Sequence, residues 1–205
     1  IKAGAKVYTI GFSKSNVESY GYTVTDGNYA SGSRTTSAAG HDVAVIRVLV
    51  KDVAKPYNSK DVATGSNMSE LFNMGTGDDQ VFAGGGDDIV SGDAGADSLY
   101  GGTGDDTLTG GAGADMLDGG EGIDWASYFD ATSGLAVDLL SPAANSGDAS
   151  GDLFAAIEGI LGSGFNDILR GDAGQNRLDG GAGDDRLDGA DGYASLSGGE
   201  GNHTK

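Results

Sequence analysis

The sequence predicts an all-β fold, a parallel β-roll solenoid in two arrays preceded by a small β-sandwich-like segment. Three observations predict it. Glycine and aspartate recur every nine residues over 65–127 and again from Gly162, and an apolar residue follows each repeated acidic place by two. The hydrophobic fraction, 38%, is low for 205 residues around one ordinary core, so something besides apolar burial must support the fold.

Charge indicates what that support is. Thirty-one Asp and Glu face 12 Lys and Arg, a net charge of −19, which repels nucleic acid and anionic membrane surfaces and attracts cations. With no cysteine, disulfides and thiolate metal sites are excluded, leaving hard, oxygen-seeking cations. No apolar run reaches eighteen residues, so membrane insertion is not expected. The chain opens at Ile1 without a basic or apolar leader and reads as a soluble fragment of a longer protein.

Residues 1–50 lack the nine-residue period, carry fewer acids and predict strands over 7–12, 20–25 and 43–50. The run YGYTVTDGNYASGS followed by HDVAVIRVLVKDVAKPY resembles the end of VCBS or cadherin-like Ig-type repeats, which implies the last strands of a small sandwich. Residues 51–64 read as a linker.

The first array, 65–127, divides into GSNMSELFN, MGTGDDQVF, AGGGDDIVS, GDAGADSLY, GGTGDDTLT, GGAGADMLD and GGEGIDWAS. The sixth place holds Glu70, Asp79, Asp88, Asp97, Asp106, Asp115 and Asp124; the eighth holds Phe72, Val81, Val90, Leu99, Leu108, Leu117 and Ala126. A flexible Gly-rich linker or a disordered acidic tail could share this composition, but would not need the apolar phase.

Each block reads as a Gly-rich turn and a short strand whose eighth residue points inward. Two blocks make a coil, so residues eighteen apart stack at about one strand spacing, ~4.8 Å. That predicts one ladder of Asp79, Asp97 and Asp115 and a second of Asp88, Asp106 and Asp124. Stacked carboxylates repel unless a cation lies between them, and glycine lets the turn direct main-chain carbonyls toward it. Six or more oxygens suit Ca2+; magnesium demands a rigid octahedron, and zinc prefers His or Cys. The fifth-place Asp78, Asp87, Asp105 and Asp184 are expected to face solvent and add negative potential.

Residues 128–161 interrupt the phase as a connector and cap. Leu135, Val137 and Leu139 alternate as a strand would; Ile157, Ile160 and Leu161 could cover the open end of either roll, and Trp125, Tyr128 and Phe129 look like a cap. The second array, 162–205, reads GSGFNDILR, GDAGQNRLD, GGAGDDRLD and GADGYASLS, with Asp167, Asn176, Asp185 and Ala194 at the sixth place. Asn176 is neutral and Ala194 cannot ligate, so this array should bind fewer ions. Asp93 and Asp172 replace the second-place glycine of their blocks.

These blocks resemble the G-G-x-G-x-D-x-U-x pattern of the RTX (repeats-in-toxin, haemolysin-type calcium-binding) family. The resemblance implies a parallel β-roll with several Ca2+ ions between stacked turns. It carries metal ligation onto Asp79, Asp88, Asp97, Asp106, Asp115, Asp124, Asp167 and Asp185. It carries the turn carbonyls onto Gly75, Gly77, Gly84, Gly86, Gly102, Gly104, Gly111, Gly113, Gly181 and Gly183. The 124–170 segment is similar to the connector of serralysin-type C-terminal domains. By the same resemblance the parent is a secreted or cell-surface protein of a Gram-negative bacterium, exported by type I secretion and folding on extracellular calcium.

With Ig-like repeats the parent would be an adhesin, whose other domains reach a cell-surface or polysaccharide ligand; the alternative is the tail of a secreted metalloprotease, lipase or polysaccharide-modifying enzyme. No catalytic residue is expected in this segment. His41 and His203 are its only histidines, both expected on the surface, and neither H-E-x-x-H nor G-x-S-x-G occurs. A lattice-binding face would need a regular row of like side chains, and the third-place residues Thr76, Gly85, Ala94, Thr103, Ala112 and Glu121 form none.

Overall fold

The computed structural model describes residues 60–204 and, before them, the backbone of strands β1 (Tyr22–Thr25), β2 (Tyr29–Gly32) and β3 (Ile46–Val48). The β1 and β2 strands pair antiparallel, whereas β3 lies parallel to the first solenoid strand of its sheet. The remainder of the expected sandwich, most of the 51–64 linker and His41 lie outside the described residues.

From Val62 onward the chain is a parallel solenoid. One face carries β4 (Val62–Thr64), β6 (Gln80–Gly85), β8 (Ser98–Thr103) and β10 (Met116–Glu121); the other carries β5 (Glu70–Asn73), β7 (Ile89–Ala94), β9 (Thr107–Ala112) and β11 (Trp125–Ser127). The register is eighteen residues per coil, with Val81 beside Leu99 beside Leu117, and Phe72, Val90, Leu108 and Ala126 in line opposite. All seven eighth-place side chains of this array are fully buried. Alternation at period two sends the seventh and ninth places outward, which explains why one apolar residue per block is enough for a core.

The turns need glycine for two reasons visible at one block. Gly102 and Gly104 have φ of 111° and 120°, a region costly for residues with a Cβ. A Cβ on either would also collide with the backbone of Gly84 or Gly86 one coil below.

The connector joins this stack. It contributes β12 (Ala136–Asp138), β13 (Leu153–Ala155) and β14 (Gly159–Leu161), and is followed by β15 (Ile168–Arg170), β16 (Asn176–Asp179), β17 (Arg186–Asp188) and β18 (Ala194–Ser197). The β13 strand pairs with β10, while β14 bridges β11 to β16, so one eight-stranded sheet runs from β3 to β18 across both arrays. Ile160 takes an inward place between Ala126 and Leu178, Val137 stacks on Leu169, and Ile157 and Leu135 are buried. Tyr128 is buried, but Phe129 stands 69% exposed and covers nothing. Among the described residues no helix is long and apolar enough to cross a membrane.

Candidate metal centre

The sixth-place carboxylates form two ladders. On one, the amide N–H groups of Asp61, Asp79 and Asp97 donate to Oδ1 of Asp79, Asp97 and Asp115, at 2.7, 2.7 and 2.8 Å. On the other, Glu70, Asp88 and Asp106 donate to Oδ1 of Asp88, Asp106 and Asp124 at 2.6, 2.7 and 2.8 Å. Each carboxylate therefore spends one oxygen stapling the coil before it.

The second oxygen is the informative one. Oδ2 of Asp88, Asp97, Asp106, Asp115, Asp124 and Asp185 is buried and accepts no hydrogen bond. An unpaired buried carboxylate oxygen is costly, so either a proton or a cation must answer it. Burial pushes the Asp88 and Asp97 carboxyls up to about 7 and Asp124 up to about 6, with stacked neighbours adding to the rise; burial also raises Asp106, Asp115 and Asp167.

These oxygens point into hollows lined by oxygen. A Cβ added at the first-place Gly92 would strike Asp97 Oδ2 and stand 2.8 Å from the Gly110 carbonyl oxygen. At Gly101 it would strike Asp106 Oδ2 and stand 2.7 Å from the Gly119 oxygen. A carboxylate oxygen and a carbonyl of the next coil thus meet where glycine leaves room. All ten glycines expected to supply carbonyls have positive φ, between 84° and 158°. The Gly75 and Gly181 oxygens each accept an amide from the next coil, at 2.9 and 3.0 Å, leaving one lone pair apiece. Among the described residues no three His, Cys, Asp or Glu side chains converge, so an ion here depends on main-chain oxygens. An all-oxygen, anionic, glycine-shaped hollow fits calcium.

Not every turn is open. Ser163 donates its N–H to Asp167 Oδ2 at 2.6 Å and its hydroxyl to both carboxylate oxygens, while Leu135 N–H reaches Oδ1 at 3.0 Å. Ser66 caps Glu70 in the same way, at 2.7 Å from its amide and 3.0 Å from its hydroxyl, and Asp172 N–H donates to Asn176 Oδ1 at 2.8 Å. The second-place residue separates the two kinds. Where its φ is positive, as at Gly84, Asp93, Gly102, Gly111, Gly120 and Gly181, the outer oxygen is left open; at Ser66, Ser163 and Asp172 φ is not positive and the turn caps itself.

The fifth place forms its own rail. Asp78, Asp87, Asp105 and Asp184 are exposed, and their Oδ1 atoms accept the amides of Ala96, Asp105, Ile123 and Asn202 one coil on, at 2.9 to 3.0 Å. Their charge faces solvent while one oxygen splices the backbone.

Three further residues take ladder places, two of them at separations that a period of nine does not reveal. Asp115 N–H donates to Asp152 Oδ1 at 2.9 Å across 37 residues, and Asp124 N–H to Glu158 Oε2 at 3.0 Å across 34. His203, expected on the surface, is largely buried. Its Nδ1 lies 3.4 Å from both Asp185 N and Asp185 Oδ2. Its signal was present in the sequence: Gly198 to His203 repeats the turn pattern, with histidine at the sixth place.

Comparison with known families adds the chemistry of this geometry. Residues 75–99, 91–126 and 161–194 match the RTX calcium-binding nonapeptide repeat (4 copies). These repeats make the solenoid a calcium-binding module. No curated protein matches the chain.

Proposed function

We propose that this module folds when it meets extracellular calcium and forms part of a large secreted or cell-surface protein of adhesin type, exported unfolded by type I secretion. The observation that carries the reading is the stack of buried outer carboxylate oxygens of the first array that accept no hydrogen bond, at Asp88, Asp97, Asp106, Asp115 and Asp124. Asp79, Asp88, Asp97, Asp106, Asp115, Asp124 and Asp185 would hold the ions with the turn carbonyls; Asp167, already capped by Ser163, would be the weakest ligand. Bound calcium neutralises the stacked carboxylates and joins adjacent turns. The rest is supplied by the chain: glycine shapes the hollows, and each Oδ1 holds the coil below in register. Extracellular modules bind calcium at about 10⁻⁴ to 10⁻³ M, so cytosolic levels leave the carboxylates repelling one another and the chain ready for export.

A second reading, the C-terminal tail of a secreted enzyme, rests on the serralysin-like connector. An adjoining catalytic motif in the parent sequence favours the tail; adjoining Ig-like repeats favour the adhesin.

Far-UV circular dichroism in chelator, titrated with calcium to the millimolar range and with magnesium as control, tests calcium-driven folding. The expected outcome is a cooperative gain of β signal with calcium alone. A spectrum indifferent to calcium would refute it.

A further inference from the structure

At the junction between the arrays the two faces end differently. On one, Asp152 occupies the next ladder place, with Oδ1 accepting Asp115 N–H; its other oxygen accepts the buried Tyr128 hydroxyl at 2.7 Å. A hydroxyl proton there fills the role a cation plays elsewhere.

The opposite face has no such closure. Asp124 is fully buried and its Oδ2 has no partner. Eighteen residues on stands Pro142, which lies far from any ladder place in sequence logic, and the connector supplies the next coil instead. Trp125 pairs with Gly159, which sets Glu158 in register with Asp124, and Glu158 Oε2 accepts Asp124 N–H. The N–H groups of Glu158 and Gly159 return two bonds to the Asp124 carbonyl, at 3.1 and 2.7 Å.

Ala156 completes the imitation. It holds a left-handed φ of 47°, a strained region for a non-glycine residue, and its carbonyl oxygen lies where a Cβ on Gly119 would collide with it. In the regular turns that place against Gly92 and Gly101 belongs to the carbonyls of Gly110 and Gly119. Two residues with no place in the nine-residue pattern thus take over two roles of the next coil: Ala156 supplies its carbonyl oxygen and Glu158 the carboxylate oxygen that accepts the sixth-place amide.

We propose that Asp124, the Ala156 carbonyl and Glu158 form a calcium site that clamps the connector to the first array, joining the two arrays into one cooperative unit. The site rests on the calcium-binding reading above, and adds to it a ligand set drawn from the connector. The half-buried Glu158 also borders an open groove with Ile123, Asn176 and Arg177.

Trp125 is the only tryptophan, adjoins Asp124 and pairs with Thr107 beside Asp106, so terbium emission sensitised at the red edge of tryptophan absorption reports ions at this end of the first array. The experiment compares wild type with E158Q, whose amide oxygen can still accept the Asp124 N–H. We expect the terbium midpoint from tryptophan excitation to rise at least tenfold in E158Q, with the calcium-induced dichroism of the solenoid retained. An unchanged midpoint overturns the clamp and leaves the regular ladders untouched; a wild type blind to calcium in dichroism overturns the ladders themselves. Should E158Q fail to fold, E158D, which keeps the charge and shortens the reach, is read the same way: a raised midpoint supports the site and an unchanged one overturns it.

Discussion

Asp93 in the first array and Asp172 in the second stand at the same place of their blocks, each where the pattern has glycine, yet their turns differ. Asp93 sits inside β7, paired with Gly111, and is held at φ 70°; its turn leaves Asp97 Oδ2 open. Asp172 lies outside any strand. Its Oδ1 accepts Gly174 N–H at 2.7 Å and Asn176 Nδ2 at 2.8 Å, and its own N–H caps Asn176. Asp tolerates the left-handed region better than most residues, so a neighbouring strand can hold it there; released from that strand it forms a local side-chain turn instead. Whether a turn is open to a cation follows the second-place backbone: glycine reaches positive φ even outside a strand, as at Gly181, whereas of the two Asp only the strand-held Asp93 does.

This difference can be broken most severely by removing the ions. In chelator the open turns of the first array carry several raised carboxyls. The folded state then holds more protons than the unfolded chain, whose Asp groups titrate near about 3.9. Folding of the metal-free chain is therefore favoured at low pH and weakens as pH rises through about 6 at Asp124 and about 7 at Asp88 and Asp97. We expect more β signal in chelator at mildly acidic pH than at mildly alkaline pH, and weaker calcium binding at the acidic value, because ligands must shed protons. A chelated chain whose dichroism is flat across this window would contradict the assignment of the buried carboxyls.

A smaller break comes from one rung. Asp106→Ala removes an outer oxygen between two rungs of the ladder and leaves the Asp88 amide without its acceptor. At calcium about a hundredfold above Kd, loss of one ion costs about 2.7 kcal/mol, and the orphaned amide about 1 to 3 more. Asp185→Ala, between the self-capped Asp167 and His203, should cost less. Equal calcium midpoints for the two variants in titrations followed by dichroism would remove the distinction between the arrays.

The gentlest test sharpens the comparison rather than breaking it. Ser163→Gly deletes a hydroxyl that donates to Asp167 at 2.9 and 3.0 Å and frees the turn to adopt the conformation seen at Gly102. We expect calcium content at saturation, measured by equilibrium dialysis, to rise by one ion. Metal-free stability should fall by about 1 kcal/mol, the worth of the lost hydrogen bonding. Unchanged ion content would mean that self-capping does not compete with the metal.

By itself the sequence determined the period, the inward eighth place, the two ladders of the first array and the choice of a hard cation. Each of these follows from residues at constant spacing, which stack at constant spacing in a solenoid. The tertiary structure alone decided which of the two turns with Asp at the second place stays open, because a strand holds the backbone of Asp93 and none holds that of Asp172. It also decided that Asp152 and Glu158 continue the ladders at separations of 37 and 34 residues instead of 18. A ladder partner is whatever strand register sets one coil away, and an insertion changes the count of residues between coils without changing the distance between strands.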